Sequence, residues 1–170
     1  MDSEKLSNRT KQPGHDRTFL DSEMSFIQVA QSCLNRNEYE VTANPNDLKY
    51  CFATKDEGGL GLKPEASITS LATGRKFFVE VKKQGPKGNA DERACKHHTV
   101  QFYKLMNDLY SYDYHPYVTI ACENLAVDRR YTAKFRHYFE PDNYFLWVKY
   151  DTKSLCKYLS GRCSSWLDKS

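Results

Sequence analysis

No Cys-x-x-Cys pair occurs in this chain, although six cysteines do: Cys33, Cys51, Cys95, Cys122, Cys156 and Cys163. Most of them sit inside apolar runs. That pattern argues against a zinc site or a disulfide framework and for buried thiols in a reducing compartment. No apolar run approaches the roughly eighteen residues that a membrane-spanning helix needs. A secretory signal is not recognisable in the polar first seventeen residues, so the expectation is a soluble, cytoplasmic protein. Internal repeats and low-complexity segments are also missing. Charge of one sign is not in large excess, because the net charge is only +3. Such a balance is compatible with nucleic acid and far too weak to identify it.

What is present is an ordinary globular balance. The 170 residues, 39% hydrophobic and 28% charged, fit one domain with a real core. Twelve tyrosines help bring the aromatics to 14%. They read either as a stacking surface for bases or, more commonly, as large amphipathic core residues.

Residues 1–17 carry mixed charge with Pro13 and Gly14 and read as a flexible N-terminal arm, leaving 18–170 as a single domain. From Asp21, a candidate N-cap, the apolar stripe Met24, Ile27, Ala30 and Leu34 predicts a helix, with Phe26 and Cys33 widening it. Glu38 to Ala43 alternates as a short strand. Pro45-Asn46-Asp47 reads as a turn or helix start, and Asp56-Glu57-Gly58-Gly59 as a loop. Two strands, near 65–71 and 76–83, flank the turn Ala72-Thr73-Gly74-Arg75. The Gly/Pro-rich loop Gln84 to Gly88 leads into one long helix over 90–110, with its apolar side through Ala94, His98, Phe102, Leu105 and Leu109. A buried strand follows at His115 to Glu123, then a basic amphipathic helix near 128–139, a strand Tyr144 to Tyr150 and a closing helix before Gly161. This order predicts an α/β fold, a central mixed β-sheet flanked by helices.

One constellation carries chemistry. Hydrolysis of a phosphodiester needs a divalent cation beside the phosphate and a positioned water. Mg2+ takes hard oxygen ligands and keeps several waters, so two carboxylates suffice as the protein's share. Glu80 and Lys82 are two residues apart on one predicted strand and share a face with Phe78, opposite Phe77, Val79 and Val81. Glu65, in Lys63-Pro64-Glu65, begins the preceding strand, fifteen positions upstream of Glu80, a comfortable hairpin length. An isolated Glu-x-Lys on a strand is more often a solvated polar edge, and spacing alone leaves both readings open.

The segment from Glu80 to Val118 resembles the PD-(D/E)XK type II restriction endonucleases of the EcoRI/MunI kind. Those enzymes carry, in order, E-A-K, Q-G-K, G-N-A-x-E-R opening a helix, and H-F-P-Y-V leading into an apolar strand. The matching pieces are Glu80-Val81-Lys82, Gln84-Gly85, Gly88-Asn89-Ala90-Asp91-Glu92-Arg93 and His115-Pro116-Tyr117-Val118. They cover about a quarter of the chain, with no match in the arm or the last stretch. The resemblance implies a restriction-endonuclease-like core and an Mg2+ cofactor (Mn2+ substituting) held by Glu65, Glu80 and the Val81 carbonyl, with Lys82 serving the attacking water. It also implies base reading by Asn89 and Arg93, with Glu92 bracing the arginines across a homodimer. Asparagine pairs with adenine and arginine with guanine in the major groove, which agrees. On their own, Asn89 reads as a helix cap and Arg93 as a solvated residue. Two departures stand out: glutamate replaces the family's aspartate at Glu65, and the Gly85–Gly88 segment lacks a long insertion.

Lys83, Lys87, Arg129 and Arg130 complete the expected DNA contacts; with Lys134 and Arg136, the last two make a basic helix that is equally readable as a solvated face. His97 and His98 diverge by about 100° on a helix and cannot easily chelate one metal. Glu23 reads first as a first-turn acid complementing the helix dipole and second as a neighbour of the metal site. Three functions are carried forward. The first is a type II restriction-like endonuclease on double-stranded DNA, with an AATT-like palindromic centre. The second is a phage or mobile-element endonuclease of weak specificity or nicking activity. The third is a DNA-binding module whose catalysis has decayed.

Overall fold

The computed structural model describes residues 15–85, 87–110 and 114–169. Most of the expected arm, Pro86 and the side chains of His115 and Pro116 lie outside the described residues. In chain order the elements are α1 (His15–Cys33), β1 (Tyr39–Ala43), β2 (Ala66–Ser70), β3 (Lys76–Gln84), α2 (Ala90–Ala94), α3 (Val100–Tyr110), β4 (Tyr114–Glu123), α4 (Asn124–Val127), α5 (Arg129–Tyr138), β5 (Tyr144–Leu146) and α6 (Thr152–Arg162).

The strands form one sheet in the order β1-β2-β3-β4-β5, antiparallel across the first three and parallel from β3 through β5. It is the expected mixed sheet flanked by helices. The central strand β3 lies between β2 and β4, so its alternating residues face covered layers on both sides. Phe77, Val79 and Val81 join Val118, Ile120 and Cys122 of β4 beneath α1 and α6, where Phe26, Ala30, Leu155, Leu159 and Trp147 complete the main core. On the opposite face Phe78 packs with Tyr117, Phe102 and Met106, and Ala121 with Ala90, Ala94, Tyr131 and Phe135. Glu80 and Lys82 point toward this second layer.

Several boundaries differ from expectation. Helix α1 begins at His15, so His15–Arg17 are helical rather than part of an arm, and Asp21 lies inside the helix instead of capping it. The single helix expected over 90–110 is three pieces: α2, a 3-10 turn at Cys95–His98, and α3. Thr99 is extended (φ −79°, ψ 153°), and the break rotates the face that follows. Leu109, placed on the apolar side by continuous periodicity, is 48% exposed, while Met106 is fully buried. No glycine or proline marks this break. The last strand stops at Leu146; Trp147 already leaves the strand conformation (φ −86°, ψ 80°), and Lys149 and Tyr150 beyond it are left-handed (φ 53° and 52°). Helix α6 runs through Gly161 to Arg162. All six cysteines are free thiols, as their spacing suggests.

Candidate active site

Backbone hydrogen bonds fix Glu65 at the entrance to β2. Its amide donates to the Val79 carbonyl (3.1 Å), and its carbonyl accepts from the Asn44 amide (2.9 Å). The side chain then crosses in front of β3, where Oε2 accepts the Val81 amide at 2.7 Å. In a strand the N–H and C=O of one residue project to the same edge, so the Val81 carbonyl also faces the Glu65 side, beyond the point where β2 stops pairing.

Glu80 and Lys82 stand on the same face of β3, one pleat apart. The Lys82 ammonium lies 3.3 Å from Glu80 Oε2 and 3.6 Å from Glu65 Oε1. Glu80 is 7% exposed, which is not the solvated edge that an isolated Glu-x-Lys suggests. The three head groups line one cavity of about 340 Å³ together with Ser22, Glu23, Lys83, Arg93, Lys96 and His97.

The electrostatics are those of two carboxyl groups crowded together and partly buried. Burial, followed by the hydrogen bond and negative charge of Glu80, pushes the Glu65 carboxyl up to about 9, against the opposing Lys82 charge and the Val81 amide. Lys82 is shifted upward as well: burial disfavours its charge, but Glu80 and Glu65 outweigh it. Glu23 is raised by burial and then by Glu65. Its position in the third turn of α1, with the helix starting at His15, removes the first-turn dipole role. Two crowded carboxyl groups with a carbonyl beside them suit a hard divalent cation, which would relieve the repulsion that raises Glu65. Among the described residues no three His, Cys, Asp or Glu side chains converge on one point. Two carboxylates therefore fit a partly hydrated ion better than a fully protein-caged one.

The other expected residues fall in three groups. Lys83 and Arg93 line the same cavity. Lys87, Asn89 and Glu92 are exposed beside it, on the loop and first turn of α2. Asn89 occupies the cap position (φ −137°, ψ 34°), but its side chain makes no capping hydrogen bond. Instead, Gln84 Oε1 accepts the Ala90 amide at 3.0 Å. Arg129 and Arg130 stand apart from the cavity lining at the start of α5, where Arg130 pairs with Asp128 (3.3 Å) and covers the Tyr131 ring.

Three residues that the sequence names, Gln84, His97 and Asp91, have a place in the site that it does not assign. Gln84 shares the Glu80–Lys82 face of β3 and also donates to the Lys87 carbonyl, clamping the loop before α2. The period-two pattern extended through Gln84 would have placed it there. His97 stacks on Tyr117 (4.1 Å between ring centroids), with both ring nitrogens buried and unpartnered. Asp91 is 1% exposed. The burial of His97 agrees with reading the paired histidines as buried or partly exposed helix residues, whereas nothing local signals the burial of Asp91.

This mixed sheet, with Glu80 and Lys82 on its central strand and Glu65 reaching across from the start of β2, fits one class: a restriction-endonuclease-like nuclease. Comparison with known proteins narrows it. The family described as type II restriction enzyme MunI matches residues 1–168, and the chain belongs to that family of site-specific deoxyribonucleases. Among solved structures, that of MunI restriction endonuclease in complex with cognate DNA aligns with a TM-score of 0.61, over 85% of this chain and 96% of that one. Sequence identity is 20%, so this likeness is one of fold. A search of the curated proteins finds no match. Type II restriction enzymes use divalent metal ions, consistent with the carboxylate pair. No helix among the described residues is long and apolar enough to cross a membrane.

Proposed function

We propose that this chain is an Mg2+-dependent endonuclease, with Mn2+ able to substitute, that cuts double-stranded DNA at a palindromic site with an AATT-like centre. It acts as a homodimer in the cytoplasm, since a two-fold protein matches a two-fold site. The observation that carries the chemistry is the Lys82 ammonium standing 3.3 Å from Glu80 and 3.6 Å from Glu65, with all three lining a single cavity.

Glu65, Glu80 and the Val81 carbonyl would hold the cation, which supplies charge neutralisation at the scissile phosphate and a more acidic bound water. Lys82 keeps its proton through its two carboxylate neighbours and therefore serves as a cationic donor, orienting the attacking water and stabilising charge on the phosphoryl oxygens. The products are a 5′-phosphate and a 3′-hydroxyl. Asn89 and Arg93 read base edges; the unused side chain of Asn89 at its cap position and the place of Arg93 on the cavity wall support that assignment. Glu92 braces the arginines, and Lys83, Lys87, Arg129 and Arg130 meet phosphates.

Lys82→Ala is expected to abolish cleavage of plasmid DNA while metal-free DNA binding is retained. Undiminished cutting by the folded variant would remove Lys82 from the mechanism. Sequencing the ends of a digest tests the recognition reading, because scattered termini are incompatible with a strict palindrome.

A further inference from the structure

Lys134 belongs to the basic face of α5, which the sequence offers to phosphates. Its ammonium points elsewhere, to Asp91 Oδ2 at 3.1 Å, with Glu92 Oε1 at 3.9 Å. Asp91 sits in the first turn of α2, between Asn89 and Arg93, and its side chain is 1% exposed, while that of Lys134 is 37% exposed. The second oxygen of Asp91 is buried without a partner. Ala90 and Ala94 of α2 pack with Tyr131 and Phe135 of α5 in an apolar cluster beside it in the chain. An apolar residue would occupy such a place at lower desolvation cost, so the pair is poorly explained as a source of stability.

What a pair with one buried member does supply is register, since a buried carboxylate tolerates few positions of the cation that reaches it. Opposite this contact Gln84 holds the Ala90 amide, so α2 is fixed at two points, one on the catalytic strand and one on α5. We propose that the Asp91–Lys134 pair sets the position of α2 over the DNA and thereby the placement of Asn89 and Arg93. Lys134 is a positioning residue for sequence specificity, not a phosphate contact. The inference rests on the assignment of Asn89 and Arg93 as base readers.

The test compares the wild type with Lys134→Gln, Lys134→Arg and Asp91→Asn on one long DNA of known sequence. Digest ends are sequenced, and cuts at the principal site are divided by cuts at its single-base neighbours. Lys134→Gln is expected to lower that ratio tenfold or more, Asp91→Asn to lower it less, and Lys134→Arg to restore it. Salt dependence of metal-free binding is the second readout. Its slope should be unchanged in Lys134→Gln, whereas loss of a phosphate contact makes it shallower by about one. A wild-type ratio in folded Lys134→Gln, or in Asp91→Asn should Lys134→Gln not fold, overturns the proposal. So does a shallower slope with the ratio intact. Asn89→Ala and Arg93→Ala are run alongside: a wild-type ratio in both defeats the base-reading assignment by itself, and that failure is distinct from any result at Lys134.

Discussion

Two groups in the site oppose each other in pH. Glu65 is held near 9 from an ordinary 4.5, so the native chain binds this proton more tightly than the unfolded chain does. Stability of the metal-free protein therefore falls as pH rises from about 4.5 toward about 9. Glu65→Gln removes that slope and should stabilise the metal-free protein at pH 9 by about 1–2 kcal/mol, read from melts at pH 6 and pH 9. The same proton must leave when a divalent cation binds, so cation affinity should rise with pH through this range. His97 runs the other way. Burial first, then the neighbouring Lys96 and Lys82 charges, lowers it to about 4 from 6.5, so its neutral form loses ground as pH falls below about 6.5. His97→Phe keeps the stack on Tyr117 and removes two buried unpartnered nitrogens. It should raise stability at pH 5 by about 1–3 kcal/mol and flatten the acid limb of a pH–denaturation profile.

At the scale of elements, the loop from Gln84 to Asn89 governs how α2 meets β3. Gly88 has φ +148°, and a Cβ there would stand 2.1 Å from the Gln84 amide nitrogen. Gly88→Ala therefore displaces the clamp that holds Ala90 and Lys87. It is expected to depress cleavage at least tenfold while far-ultraviolet circular dichroism stays native, because the position meets the sheet only through the Gln84 side chain at the end of β3. Native-like cleavage by Gly88→Ala would show that the clamp is dispensable. The break at Thr99 matters in the same way. It lets α3 bury Phe102 and Met106 while α2 keeps Asn89, Glu92 and Arg93 outward.

In the whole molecule, one sheet carries two unequal faces. The layer under α1 and α6 is mostly apolar, and Phe77 within it is fully buried in one cluster with Phe26, Ile68 and Leu155. Phe77→Ala should cost about 3–5 kcal/mol in urea denaturation. The opposite layer mixes aromatics with the buried polar groups Glu80, His97, His98 and Asp91, of which Glu80 and His97 line the site. Stability is thus concentrated on one side of β3 and chemistry on the other, and the alternation of a strand keeps the two apart by one residue. With Glu65 losing stability upward in pH and His97 losing it downward, the metal-free protein should be most stable between the two.

Several elements were legible in the chain itself. The period-two run Phe77 to Gln84 put Glu80 and Lys82 on one face, because side-chain direction in a strand is a local property. The hairpin into Glu65, the buried strand β4 and the basic helix α5 followed from composition and turns in the same way, and the ordered motifs from Glu80 to Val118 pointed to the family. Only the tertiary structure decided that Glu65 reaches the Val81 amide, that Glu80 is buried, that the long helix breaks at Thr99, and that Lys134 pairs with Asp91. Each of these depends on groups far apart in sequence meeting where water is excluded. Burial and partner choice are set by the whole packed layer, and no local pattern encodes them.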